Sequence, residues 1–350
     1  MCIRDRIWPK DEDLDTWFES YRSYALWGAR LAKQYKVELL VIANEMTSMT
    51  STLLPPGELA PFEYFADEER TALVRKDLVE CAKRVEDTDL AFVDGGSSSD
   101  LEALLLEQDA ARRAWSLEVT GGGTLEQMRD HLSLRMARID AHWRKIIADV
   151  REVYSGPVSL GANFDSYDRV GFWDALDAVG VTSYFKLRLW GVEGKEQEAA
   201  LRSGWRQVAK GLEAVTQGKP LYLLELGWTR KSGSTVRPWS YDRVEVLETV
   251  GEVEEGAAQP LTCVHWASQP DDLLERTRAM EALVDVVKSG DFPSLRGFSL
   301  WKLTTRDYHW DGEPFAILLP SKLQDGGVQE DDLRLLRAAK ELGQLLHTER

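Results

Sequence analysis

Two glutamates stand where short apolar runs stop. Residues 37–43 (VELLVIA) lead into Asn44-Glu45, and Pro220 to Leu224 (PLYLL) lead into Glu225. In parallel α/β folds chemistry gathers at the C-terminal ends of strands, so a glutamate there points towards a ligand rather than into packing. One such residue alone reads more readily as a solvated strand edge; two of them, after runs of this kind, suggest a working pair. Cleavage of a glycosidic bond needs such a pair. One carboxylic acid protonates the leaving oxygen, and one carboxylate attacks the anomeric carbon or activates water. A separation of roughly 5 Å would correspond to a retaining mechanism with a covalent glycosyl-enzyme.

The elements that would carry these residues alternate. Leu14, Trp17, Phe18, Tyr21, Ala25, Ala29 and Ala32 recur at three- and four-residue steps, the period of one helix face. The run 37–43 that follows is short, apolar and β-branched, as expected of a parallel strand buried on both faces. Runs of the same strand type return at 157–162, 179–185, 220–226 and 296–301, with weaker candidates at 89–93 and 260–266. Helical patterns at 125–153, 196–215, 271–288 and 331–347 lie between or after them. The first of these opens with Thr124 and Gln127 at capping-box spacing and stops at Ser155-Gly156-Pro157. Alternation of this kind predicts a parallel α/β sheet, closed as a barrel or open and doubly wound. No GxGxxG follows the first strand and no GxxxxGK[ST] occurs, which removes the main support for nucleotide binding. Between Thr47 and Gly123 the pattern changes to Pro55-Pro56, charged helical stretches and Gly- and Ser-rich turns, read as a helical insertion over 47–123 within a single domain, 1–350.

Composition narrows the partners. Acidic residues outnumber basic ones 59 to 43, a formal charge of −16 that repels phosphate backbones and anionic headgroups, so neither nucleic acid nor membrane is expected. No apolar run reaches the roughly 20 residues of a membrane helix. Cys2, Cys81 and Cys263 lack the spacing of a zinc site or of a disulfide scaffold, and the five histidines show no HxH or HExxH, so no metal or other cofactor is expected. Met1 to Arg6 has no secretory profile and reads as a sequence-assembly scar, which leaves localisation open. The 13 tryptophans suit sugar-stacking platforms and large cores alike.

An Asn-Glu pair ending one strand and a Glu ending a later one resembles the clan A glycoside hydrolases, and within them the chain is most similar to glycoside hydrolase family 113, the β-mannanases. The matching stretches are the Trp17–Tyr35 helix with VELLVIANE, then HWRKIIADVREVYSGPVSLGANFDSY, FWDALDAVGVTSYF, KPLYLLELGW with Pro238-Trp239, and GFSLWKL. The resemblance implies a (β/α)8 barrel, Glu45 as acid/base and Glu225 as nucleophile. It also implies Asn44 on the sugar 2-hydroxyl, Tyr184 holding Glu225, Asn163 at the same mouth, Trp301 under a sugar ring and Trp228 walling the cleft. For Trp228 and Tyr184, packing is an equal alternative; Trp143 and Trp173 read as core. His309-Trp310-Asp311 reads as a solvated loop within reach of the cleft. The implied substrate is a β-linked poly- or oligosaccharide, mannan first.

Two features depart from the family. The Asn-Glu strand is its fourth of eight, yet only residues 1–36 precede it here, so strands one to three are expected to be absent and the chain alone poorly stable or inactive. The insertion and the tail PFAILLPSKL also differ. The alternatives are a noncatalytic carbohydrate-binding or assembly domain on a glycosidase-like barrel and, without ligand spacing to support it, a metal-dependent hydrolase.

Overall fold

The spacing of Leu14, Phe18, Ala25, Ala29 and Ala32 produces helix α1, Leu14–Tyr35, with all five buried. In this computed structural model the described residues are 9–54, 110, 114, 117, 120–189, 191–192, 194–236, 238, 243–250, 261–267, 270–304, 313–318 and 330–348. The strand candidate 89–93, most of the 47–123 insertion and His309-Trp310-Asp311 lie outside them. Helix α1 stops at Lys36, left-handed at φ 52°, and the Val37 amide folds back onto the Ala32 carbonyl at 2.9 Å. That closure uses up the start of the expected strand, so β1 runs Leu40–Asn44 rather than from residue 37.

The chain divides into two compact units. The first comprises residues up to Leu53, Arg138–Tyr241 and Gln269 onwards. Its sheet holds β1, β2 (Val158–Asn163), β3 (Val179–Thr182), β4 (Leu221–Leu226) and β7 (Leu295–Leu300) in the order β1-β2-β3-β4-β7. All four pairings are parallel. Every residue of β2 and β3 is buried, as in a parallel sheet covered on both faces, while β1 and β7, at the two ends of the order, are only partly so. Burying each such Leu or Val contributes about 1.5–3 kcal/mol. A short parallel pair, β8 (Leu303–Thr304) with β9 (Ile317–Leu318), follows β7.

Helices alternate with these strands. Thr47–Thr50 forms a single turn, α2, directly after Glu45. Helix α3, Leu125–Val153, precedes β2; α4, Gly194–Thr216, precedes β4; α5, Leu273–Lys288, precedes β7; α6, Glu330–Thr348, closes the chain. The crossover from β2 to β3 carries only two 3-10 turns, Tyr167–Arg169 and Trp173–Ala175, so Trp173, buried as its reading as core requires, sits in a turn rather than on an α-helix.

Helices α5 and α6 share an ion pair with no solvent contact: Arg276 Nη2 lies 2.5 Å from Asp332 Oδ1, both side chains 0% exposed. Burial pushes the Asp332 carboxyl above its ordinary range and the Arg276 guanidinium below its own, each held back by the other's charge. Removing one partner strands the other, so Asp332→Ala should cost about 3–5 kcal/mol in thermal or urea unfolding.

In the second unit, Leu54–Ala137 with Asp242–Ser268, the strand candidate at 260–266 forms as β6, Leu261–Ala267. It pairs antiparallel with β5, Arg243–Val250, and so is not a strand of the parallel sheet. The apolar-polar alternation at the start of RVEVLETV marks β5 in retrospect. The capping box at the start of α3 forms as read, Thr124 N donating to Gln127 Oε1 at 2.8 Å and Gln127 N to Thr124 Oγ1 at 3.3 Å. Among the described residues no helix is long and apolar enough to cross a membrane.

Candidate active site

The strands of the parallel sheet end along one edge, and their register decides which residues become neighbours. Asn44 pairs with Gly161, Asn163 with Thr182, Thr182 with Glu225, and Leu226 with Leu300. Backbone bonds continue just past the strands: Glu45 N to Gly161 O at 2.8 Å, Ser183 N to Glu225 O at 2.6 Å and Trp301 N to Leu226 O at 2.9 Å. Asn44, Glu45, Tyr184, Glu225 and Trp301 therefore all arise at that edge.

Glu225 is held by both oxygens. Asn44 Nδ2 donates to Oε1 at 2.9 Å and the Tyr184 hydroxyl donates to Oε2 at 2.6 Å. The first bond is informative about shape. Strands β1 and β4 are separated by two others, which in a flat sheet would put them roughly 14 Å apart at about 4.8 Å per step. A direct bond between their side chains requires the sheet to curl strongly, so that the ends of β1 and β4 converge.

Gly161 makes the approach possible. A Cβ there would lie 2.1 Å from Asn44 Oδ1, so the asparagine side chain crosses β2 where the backbone is bare. Gly161→Ala should push Asn44 off Glu225 and cost about 1–3 kcal/mol of stability, read from urea unfolding, with a matching loss of any glycosidase activity.

Glu45 has a left-handed backbone, φ 53°, which an L residue other than Asn or Asp adopts at a cost of about 1–2 kcal/mol. Strain at a functional position persists when the surroundings over-determine it. Here the Glu45 amide is fixed to Gly161, and α2 behind it is held by Trp143, whose Nε1 donates to Met49 O at 2.6 Å. The side chain is half-buried, with Oε1 shut off from solvent.

Tyr184 is buried between two rings, edge-on to Phe164 at 6.4 Å and to Phe315 at 5.6 Å. The sequence reading missed both. Phe164 was legible as the residue after Asn163, but Phe315 lies in the tail and reaches Tyr184 only through the fold. Asn163 is 7% exposed, its amide committed to Asp165 Oδ1 at 2.8 Å and to the Thr182 hydroxyl at 3.2 Å. It braces the strand ends rather than presenting a free amide to the opening.

The two tryptophans part company. Trp301 is 40% exposed, with Lys302 Nζ 5.8 Å from its ring centroid; the peptide between them is cis. Trp228 is 2% exposed and packs edge-on against Trp205 at 6.1 Å, so its surroundings favour packing over walling a cleft. Among the described residues no group of three His, Cys, Asp or Glu side chains is placed to hold a metal.

Residues 133–254 match the model of Glycoside Hydrolase Family 113, a span that includes Asn163, Tyr184 and Glu225 and leaves out Asn44, Glu45 and Trp301. Solved structures similar to the chain include a GH113 β-1,4-mannanase, at 17% identity and TM-score 0.47, which covers 93% of this chain. Another is the GH113 β-mannanase AaManA from Alicyclobacillus acidocaldarius in complex with ManMIm, at 18% identity and TM-score 0.46, covering 94%. The chain spans 63% of the length of each. No curated protein matches the chain.

Proposed function

We propose that this chain, which carries the family 113 pattern over residues 133–254, is the carboxylate-bearing part of a retaining glycoside hydrolase acting on β-linked glycans, with β-mannan as the first substrate. The observation that supports this most is the hydrogen bond from Asn44 to Glu225. It brings the second carboxylate into contact with the residue next to the first. With Asn44 and Tyr184 each donating to one oxygen, Glu225 is fixed in orientation, as an attacking group must be.

Glu225 attacks the anomeric carbon while Glu45 delivers its proton to the departing glycosidic oxygen, giving a glycosyl ester on Glu225. Water then enters, Glu45 takes back a proton, and the ester carbon–oxygen bond breaks to release a sugar of the original β configuration. The amide of Asn44 has a second N–H beyond the one given to Glu225, and this would serve the sugar 2-hydroxyl. Trp301 offers an exposed apolar plane at the same edge for a sugar face.

Proton NMR of β-manno-oligosaccharide cleavage by the whole hydrolase of which this chain is proposed to be part tests the reading. The β anomer should appear first and mutarotate later. First release of the α anomer would refute the double displacement, and glycan binding without new reducing ends would favour a noncatalytic carbohydrate-binding domain.

A further inference from the structure

Helix α5 begins with a carboxylate that the proposed chemistry does not use. Glu275 is 1% exposed, three residues after the N-cap Asp272, where a glutamate ordinarily folds back onto the cap's own amide. It does not do so here, because the Asp272 amide goes to Arg230 O at 2.7 Å. Glu275 reaches instead into two loops. From the loop after β4 its Oε2 accepts Gly233 N at 2.7 Å, and its Oε1 accepts Thr235 N at 2.9 Å and the Thr235 hydroxyl. From the loop after β3, Arg188 Nη2 stands 2.7 Å from Oε1, in a pair whose side chains are 6% and 1% exposed.

Around this carboxylate the two loops join directly. Arg188 Nε donates to Thr235 Oγ1 at 2.7 Å and Leu187 N to Thr235 O at 2.8 Å. Leu187 lies three residues after Tyr184, and the β4 loop leaves the sheet just after Glu225. That loop also fixes the backing of Tyr184, since Arg230 N donates to Pro314 O at 2.8 Å, next to Phe315. We propose that Glu275 is a positioning residue: by clamping the β3 loop to the β4 loop it holds the Tyr184 hydroxyl on Glu225. A charge buried this deeply is expensive unless fully paired, and here it organises segments of the chain far apart in sequence. The inference rests on the functional reading of Tyr184 and Glu225 given above, and specifies what sets their geometry.

The test needs no turnover. With 3-fluorotyrosine in place of tyrosine in the full chain, the Tyr184 fluorine resonance is identified by its loss in Tyr184→Phe. Glu225→Gln should displace it, reporting the hydrogen bond itself. Glu275→Gln should then move it most of the way to the same position, and Thr235→Val, which removes no charge, should move it partly in the same direction. Leu342→Ala, which empties core volume on α6, should lower Tm and leave the resonance in place. If Glu225→Gln shifts the signal but neither Glu275→Gln nor Thr235→Val does, the clamp is refuted while the functional reading stands. If Glu225→Gln leaves it unmoved, the hydrogen bond and the reading built on it fail first. Should Glu275→Gln not fold, Thr235→Val decides alone.

Discussion

Glu225→Ala is expected to lower kcat on an aryl β-mannoside by roughly 10⁴- to 10⁶-fold, because removal of the proposed nucleophile leaves only binding and the remaining acid to act. The side chain is half-buried at a strand end and held by polar contacts alone, so its loss should cost activity far more than stability. Azide supplies a second readout. Entering the space left by the carboxylate, it attacks the anomeric carbon from the side Glu225 used and gives an α-glycosyl azide from a β-glycoside. Turnover that survives the substitution, or a β-azide product, would overturn the assignment.

Glu45→Gln should show a different pattern, set by the leaving group. Amide for acid removes the proposed proton donor, so cleavage of mannan or of a poorly activated aryl mannoside should fall by roughly 10²- to 10⁴-fold. A dinitrophenyl mannoside needs no proton on departure, and its glycosylation step should be nearly unaffected. Breakdown of the glycosyl-enzyme then becomes limiting, for want of a base, and KM drops together with kcat. Added azide should now yield the β-glycosyl product from the intact Glu225 ester. Equal losses on both leaving groups would show that Glu45 is not the acid.

Much of this arrangement was written in local pattern. Five short, mainly apolar runs with helical patterns between most of them announced a parallel sheet, since a strand buried on both faces leaves no room for polar alternation. The capping box at Thr124 and Gln127 formed as its spacing required. Boundaries failed where tertiary closure intervened, as at Val37, whose amide ends helix α1 instead of starting β1. The β5–β6 hairpin escaped because Leu261–Ala267 is as apolar as a parallel strand, and its partner β5 carries more charge than any strand of the parallel sheet.

What the sequence determined by itself was which side chains stand at strand ends, because residue type and run length settle that within a few positions of each one. It thereby placed Asn44, Glu45, Glu225 and Trp301 at one edge. Only the tertiary structure decided which of them meet. The curl that lets Asn44 of β1 reach Glu225 of β4 across two intervening strands is a property of the whole sheet. The seat of Tyr184 between Phe164 and Phe315, the sealing of Trp228 against Trp205 and the clamp at Glu275 likewise join residues far apart in the chain. Local propensity carries no term for such contacts, since their free energy exists only once both partners have been brought to the same place.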